Sequence, residues 1–166
     1  MTESYFPPAP PAGLREFRVL GPAVPVRLEV PAIGVSTTVA PIGLRADHTL
    51  DLPPALGDAP AAWLRDTPTP GERGASLIAG NAIAADGAPA VFYRLRLLRP
   101  GDRVEVRRAD HVTARFAVVG VGLYPSEALP GDHAYGPPDQ ATLTLITVGG
   151  AQDRSLVVSS RLLAED

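Results

Sequence analysis

The groups in this chain able to do chemistry are few, and their spacing matters more than their number. There are three histidines, His48, His111 and His133, and no cysteine. The histidines lie far apart, and His48 and His111 fall in turn-like segments. Neither an H-x-x-x-H pair nor an Asp-rich loop is present, so no metal site is expected, and solvated turn histidines are the simpler reading. Without cysteine there can be no thiolate nucleophile, no Cys-ligated zinc and no disulfide framework. A Ser-His-Asp arrangement can be written from Ser126, His133 and Asp132. No G-x-S-x-G elbow supports it, and a Pro/Gly-rich loop holds a base poorly within hydrogen-bond reach. Gly71-Glu72-Arg73-Gly74 and Gly149-Gly150 lack the spacing and the lysine of a phosphate-binding loop and read as turns. No cofactor is expected.

Composition narrows the class. The chain has 166 residues, 45% of them hydrophobic and 20% charged, which is globular and long enough for one domain with a real core. Nineteen prolines and sixteen glycines suit a turn-rich β protein better than a helical bundle. The net charge of -3 opposes a nucleic-acid partner, since phosphate binding needs a basic stripe. Every one of the fifteen basic residues is arginine, and Asn81 is the sole asparagine. Both biases fit G+C-rich coding, so arginine abundance alone marks no ligand site.

The elements that must position any site are mostly strands. Val26–Val30 alternates apolar and polar residues, and Ser36–Ile42 is rich in Thr and Val. Thr49–Leu52 reads as a short third strand, and Ala61–Asp66 as a helical turn around Trp63. Ala75–Gly80 reads as a buried strand. Val91, Phe92, Leu95 and Leu98 are spaced as on an amphipathic helix of about two turns. Asp102–Arg108 and Thr113–Leu123 form a candidate hairpin over Ala109-Asp110. A long Pro/Gly loop, residues 124–140, precedes the strands Thr142–Val148 and Ser155–Leu162. The expected fold is mainly β, a barrel or sandwich of about eight strands with one or two short helices. Residues 1–25 read as a Pro-rich tail or linker, and residues 26–166 as the domain. No stretch approaches the roughly 18 apolar residues of a membrane span, and residues 1–25 carry no signal-peptide core.

Five segments in order carry a resemblance. They are Leu28-Glu29-Val30-Pro31-Ala32-Ile33-Gly34-Val35, Leu77-Ile78-Ala79-Gly80-Asn81, Ala90-Val91-Phe92-Tyr93-Arg94-Leu95, Leu98-Arg99-Pro100-Gly101-Asp102-Arg103-Val104, and Leu145-Ile146-Thr147-Val148-Gly149-Gly150. Over about residues 26–163 the chain resembles the sortases, in particular the actinobacterial class E and F group. That family shows I-P-x-I-G-V, A-G-H, F-x-x-L, L-x-x-G-D-x-V and L-x-T-C-G-G at these places. The resemblance implies a closed eight-stranded sortase-like β-barrel with a groove over the fourth and seventh strands. It also implies transfer of a sorting-signal peptide to an amine through a Cys thiolate, aided by His and Arg.

The departures fall on the chemistry. Asn81 stands at the family's His position and Val148 at its Cys position, while Arg154 matches the Arg. The segment between Val148 and Arg154 is also shorter than is usual there. An isopropyl group is no nucleophile and an amide does not titrate, so the family's transpeptidation is excluded. One expectation is a pseudoenzyme whose groove binds a peptide or small ligand, with Asn81, Thr147, Val148, Asp153, Arg154 and Tyr124 as the candidate contacts. The alternative is a sortase fold repurposed as a thiol-independent enzyme on a small apolar substrate, for example a cyclase. There Asn81 and Arg154 would serve as oriented donors in a dry pocket. A third reading is engineered replacement of Asn81 and Val148. If Met1 is the natural start the protein stays cytoplasmic; if a longer chain was shortened it works outside. Oligomeric state is not readable from the sequence.

Overall fold

The computed structural model describes residues 19–47, 50–52, 59–125, 140–148 and 154–163, with the side chains of Pro125 and Arg154 left aside. Eight strands close into one barrel. They are β1 (Pro25–Val30), β2 (Val35–Ile42), β3 (Ala61–Leu64), β4 (Gly74–Asn81), β5 (Arg103–Arg108), β6 (Thr113–Pro125), β7 (Ala141–Val148) and β8 (Arg154–Leu162). Around the barrel they run β1-β2-β3-β4-β7-β8-β6-β5, and β5 pairs back onto β1. The β2–β3 and β4–β7 pairs are parallel, and the others are antiparallel. Closure leaves no open sheet edge.

The turn motifs have local causes. Pro31 starts a 3-10 turn with its fixed φ, and Gly34 ends it at φ +69, returning its N–H to Pro31 O at 3.1 Å. That reversal sets Val30 opposite Val35. At Leu98–Asp102, Gly101 takes φ +96, and the Asp102 carboxylate accepts the Arg99 N–H at 2.8 Å. The reversed chain is then held to β6 by Gly101 N–H to Val118 O and Val118 N–H to Asp102 O.

Three of the expected elements differ. The third strand is Ala61–Leu64, where a helical turn around Trp63 was expected, while of the expected strand Thr49–Leu52 the described residues 50–52 carry a bridge between Leu50 and Leu44, and Thr49 lies outside them. A four-residue apolar run carries no period of its own, so pairing with β2 and β4 decides its conformation. The amphipathic helix at Val91–Leu98 is a run of 3-10 turns, with Tyr93, Leu95, Leu97 and Leu98 donating to residues three back. Its first turn is anchored outside itself, because Phe92 N–H donates to Asn81 O at 3.0 Å. Phe92, Leu95 and Leu98, three apart, enter the core and plug one mouth of the barrel. Among the described residues the short helices are thus two three-residue 3-10 pieces, Pro31–Ile33 and Leu95–Leu97.

The opposite end is held by a buried arginine. Arg108 is 2% exposed and forks onto Asp110 at 3.2 and 2.7 Å. It also donates to Pro70 O at 3.0 Å and Gly21 O at 2.6 Å, tying residues 19–24 and the β3–β4 connection to the β5–β6 turn. Gly71, at φ +104, leaves room for it: a Cβ there would sit 2.9 Å from Arg108 Nη1 and 2.7 Å from Leu20 Cδ1.

Candidate functional site

Strands β4 and β7 run side by side in the same direction, and their last residues, Asn81 and Val148, are register partners. Strand alternation sorts the residues behind them into two faces. Ile78, Leu143 and Leu145 belong to the main core, while Leu77, Ala79 and Ile146 belong to a second cluster with Leu64 and Val157. Asn81 and Val148 continue the second set, on the outer face of the barrel. This outer floor is dry. Leu77, Ala79, Ile146 and Val157 are all at most 1% exposed, and Leu50, Leu52, Tyr124 and Val148 pack on them. The outer face of β4 is an apolar run, Ala75, Leu77 and Ala79, whereas that of β7 carries Thr142 and Thr144 before Ile146 and Val148.

Asn81 is 7% exposed, and its carbonyl is committed to Phe92 N–H. No described residue hydrogen-bonds its side-chain amide. Its neighbour Gly80 faces the interior, where a Cβ would lie 2.7 Å from Phe92 Cδ2 and 2.8 Å from Val91 Cγ1. The absence of a side chain at position 80 thus lets the plug lie directly behind Asn81. Thr147 takes the opposite face from Val148. Its hydroxyl accepts Leu156 N–H at 2.9 Å, a clamp between the end of β7 and the start of β8. Arg154 begins β8 as the backbone partner of Pro125, one position before the Tyr124–Ser155 pair. The structure so brings Asn81, Thr147, Val148, Tyr124 and the Arg154 backbone to adjoining strand ends. Asp153 lies outside the described residues, as do His48, Ser126, Asp132 and His133.

Sequence reasoning missed the outer wall of Leu50 and Leu52 and the plug's hold on Asn81. Leu50 and Leu52 alternate like strand residues, and that pattern concealed their use as a cover. His111 lies far from the site, in the β5–β6 turn at φ +68. Among the described residues, no three His, Cys, Asp or Glu side chains gather as a metal site. Asp110 is held below its ordinary value of 3.8, chiefly by the Arg108 side-chain hydrogen bond. It too belongs to the far end, since β5 runs opposite to β4.

Chemically, the floor is covered by the chain's own Leu50, Leu52, Tyr124 and Val148, and the polar side chain at its end is the amide of Asn81. The site can donate or accept a hydrogen bond at Asn81. It supplies neither nucleophile nor titrating group at the paired positions 81 and 148.

Comparison with known proteins bears on this geometry. A family model described as the sortase domain matches residues 28–163. Sortase A of Corynebacterium diphtheriae, in a lid mutant, superposes with a TM-score of 0.64 at 17% identity, over 89% of this chain and 74% of that one. Sortase C1 of Streptococcus agalactiae gives 0.67 at 16% identity, over 85% and 68%. The sortase D5 transpeptidase of Clostridium perfringens gives 0.61 at 19% identity, over 90% and 83%. At such identities the likeness is one of fold. A comparison with curated proteins found no match.

Proposed function

The chain belongs to the sortase domain family, and from that premise we propose that it is a member without transpeptidase chemistry, whose outer groove binds a peptide or small ligand. One observation carries the reading. Asn81 and Val148 sit as direct partners at the ends of β4 and β7, where the family resemblance puts His and Cys, and the whole sequence holds no cysteine. Loss of both groups removes the nucleophile and the proton carrier together, while the barrel and its groove floor are kept. In this reading Asn81 is the polar contact, Val148 and Tyr124 are apolar walls, and Arg154 supplies a cationic fork for a carbonyl or carboxylate. Thr147 positions the start of β8, and Asp153 adjoins Arg154 in the chain. The motif set aligns the protein with the class E and F sortases.

A second reading rests on the dryness of the floor. Leu77, Ala79, Ile146 and Val157 lie beneath Leu50, Leu52, Tyr124 and Val148, so a thiol-independent reaction of a small apolar substrate on them, such as a cyclisation, requires that cover to part. Such a reaction needs shape and oriented donors more than a nucleophile.

The test separates the two. The protein is mixed with a sorting-signal peptide and a glycine-based amine, followed by mass spectrometry and by amide shifts at residues 77–81 and 144–148. Saturable shifts without product, weakened by Arg154→Ala, are expected. A ligated or cleaved peptide would sink the non-transpeptidase reading. Turnover of apolar precursors from the organism's own extract would move the conclusion to the second.

A further inference from the structure

A second cavity opens at the plugged mouth of the barrel, apart from the groove over β4 and β7. It is an open cleft of about 410 Å³, a size suited to a small molecule. One wall is the β1–β2 reversal and the start of β2, from Ile33 to Thr37; the other is the segment Pro89–Arg94. None of Asn81, Thr147 and Val148 lines it.

Both walls are tied down. Gly34 N–H is returned to Pro31 O, Ala90 N–H to Ala82 O, and Ile83 bridges to Pro89. The cavity is therefore preformed, and a ligand does not have to order it. Its apolar surface comes from Ile33, Val35 and Val91. Its charge comes from Arg94, which is exposed and has no acidic partner among the described residues.

The same segment carries further arginines. The plug turns Phe92, Leu95 and Leu98 inward, so Arg94, Arg96 and Arg99 all point outward. Arg96 lies over the Tyr93 ring at 5.1 Å, which fixes that ring at the rim. The Asp102 carboxylate accepts the Arg99 backbone N–H. Arg94 is the charged side chain among the described lining residues of a cleft that is more polar than apolar, and Arg96 and Arg99 stand outside that lining on the same exposed segment. A guanidinium matches carboxylate and phosphate oxygens in paired hydrogen bonds.

We propose that this cleft binds a small organic anion, a carboxylate or phosphate carried on an apolar or aromatic body. Arg94 takes the anionic head, and Ile33, Val35 and Val91 hold the body. The site is independent of the reading given for the groove and stands whether or not that reading does.

The experiment is an NMR titration of the isotope-labelled full chain with phenyl phosphate, benzoate and inorganic phosphate in turn. The variants Arg94→Gln and Arg99→Gln are titrated in parallel. Both positions are exposed, and a thermal melt checks that both variants fold. Phenyl phosphate or benzoate should shift the amides of residues 33–37 and 89–94 saturably. Arg94→Gln should weaken binding about tenfold, and Arg99→Gln less than about twofold. Inorganic phosphate, which has no apolar body, should bind at least about tenfold more weakly. The better of the two organic probes identifies the head group. No saturation by about 10 mM, equal losses in the two variants, inorganic phosphate as tight as phenyl phosphate, or binding to anionic vesicles alone would each overturn the proposal.

Discussion

Gly80→Ala tests whether the plug is seated through β4. The added methyl would lie 2.7 Å from Phe92 Cδ2, 3.0 Å from Phe92 Cε2 and 2.8 Å from Val91 Cγ1. Phe92 is fully buried and its N–H is bonded to Asn81 O, so ring and backbone are both constrained. Overpacking of this kind costs about 1–3 kcal/mol. Against it, alanine in place of glycine stiffens the unfolded chain and returns about 0.4–1 kcal/mol. The net expectation is a loss of about 1–2 kcal/mol. With an m-value near 2 kcal/mol per M in urea, the unfolding midpoint falls by about 0.5–1 M. Adding Val91→Ala removes one of the two obstacles. The pair should then be less destabilised than the sum of the singles, by at least about 0.5 kcal/mol. A midpoint that is unchanged or raised by Gly80→Ala, or strict additivity with Val91→Ala, would refute the seating.

Arg108→Met removes the donor to Pro70 O and Gly21 O and strips Asp110 of its partner; urea unfolding should show a loss of about 3 kcal/mol, and a loss below about 1 kcal/mol would mean that the fork holds nothing. Because Asp110 is held below its ordinary value in the folded protein, its contribution is present above that ordinary value and disappears as pH falls through the lowered one. The acid limb of a stability profile should therefore be shallower in Asp110→Asn than in the wild type, and parallel limbs would contradict the assignment. The double replacement Asn81→His with Val148→Cys should still fail to join a sorting-signal peptide to an amine at an efficient rate, because the connection from Val148 to Arg154 is altered as well. Efficient product formation in a mass-spectrometric assay would show a groove still shaped for transpeptidation.

Most strand positions were legible because alternation and turn chemistry agreed. Val26–Val30, closed by Pro31 and Gly34, is a case where a proline with fixed φ and a glycine at positive φ leave little choice. Ala61–Leu64 was not legible, since a short apolar run buried on both faces looks alike as helix or strand. The plug misled for a related reason. Val91, Phe92, Leu95 and Leu98 fit a 3.6 period, yet the buried subset Phe92, Leu95 and Leu98 fits a period of three. At the site, the adjacency of Asn81 and Val148 followed from the family resemblance, not from any local pattern. The side on which Thr147 falls is a matter of strand parity and could have been read from Leu143 and Leu145. The organic-anion cleft was illegible, because it joins residues 33–37 to 89–94 across the barrel mouth.

The parallel pairing of β4 with β7 also bears on when the site comes into being. Hairpins such as β1–β2 and β5–β6 join neighbours in the chain and can form early, whereas Gly74–Asn81 must wait for Ala141–Val148. Strand β8 then inserts between β7 and β6 and closes the circle. Long-range parallel contacts of this kind are the slow ones in folding. On the ribosome, Asn81 therefore remains without Val148 until β7 has been synthesised, and the outer floor stays wet until β8 docks. The groove is assembled last, and a chain arrested before β7 could already carry its β1–β2 reversal but no groove.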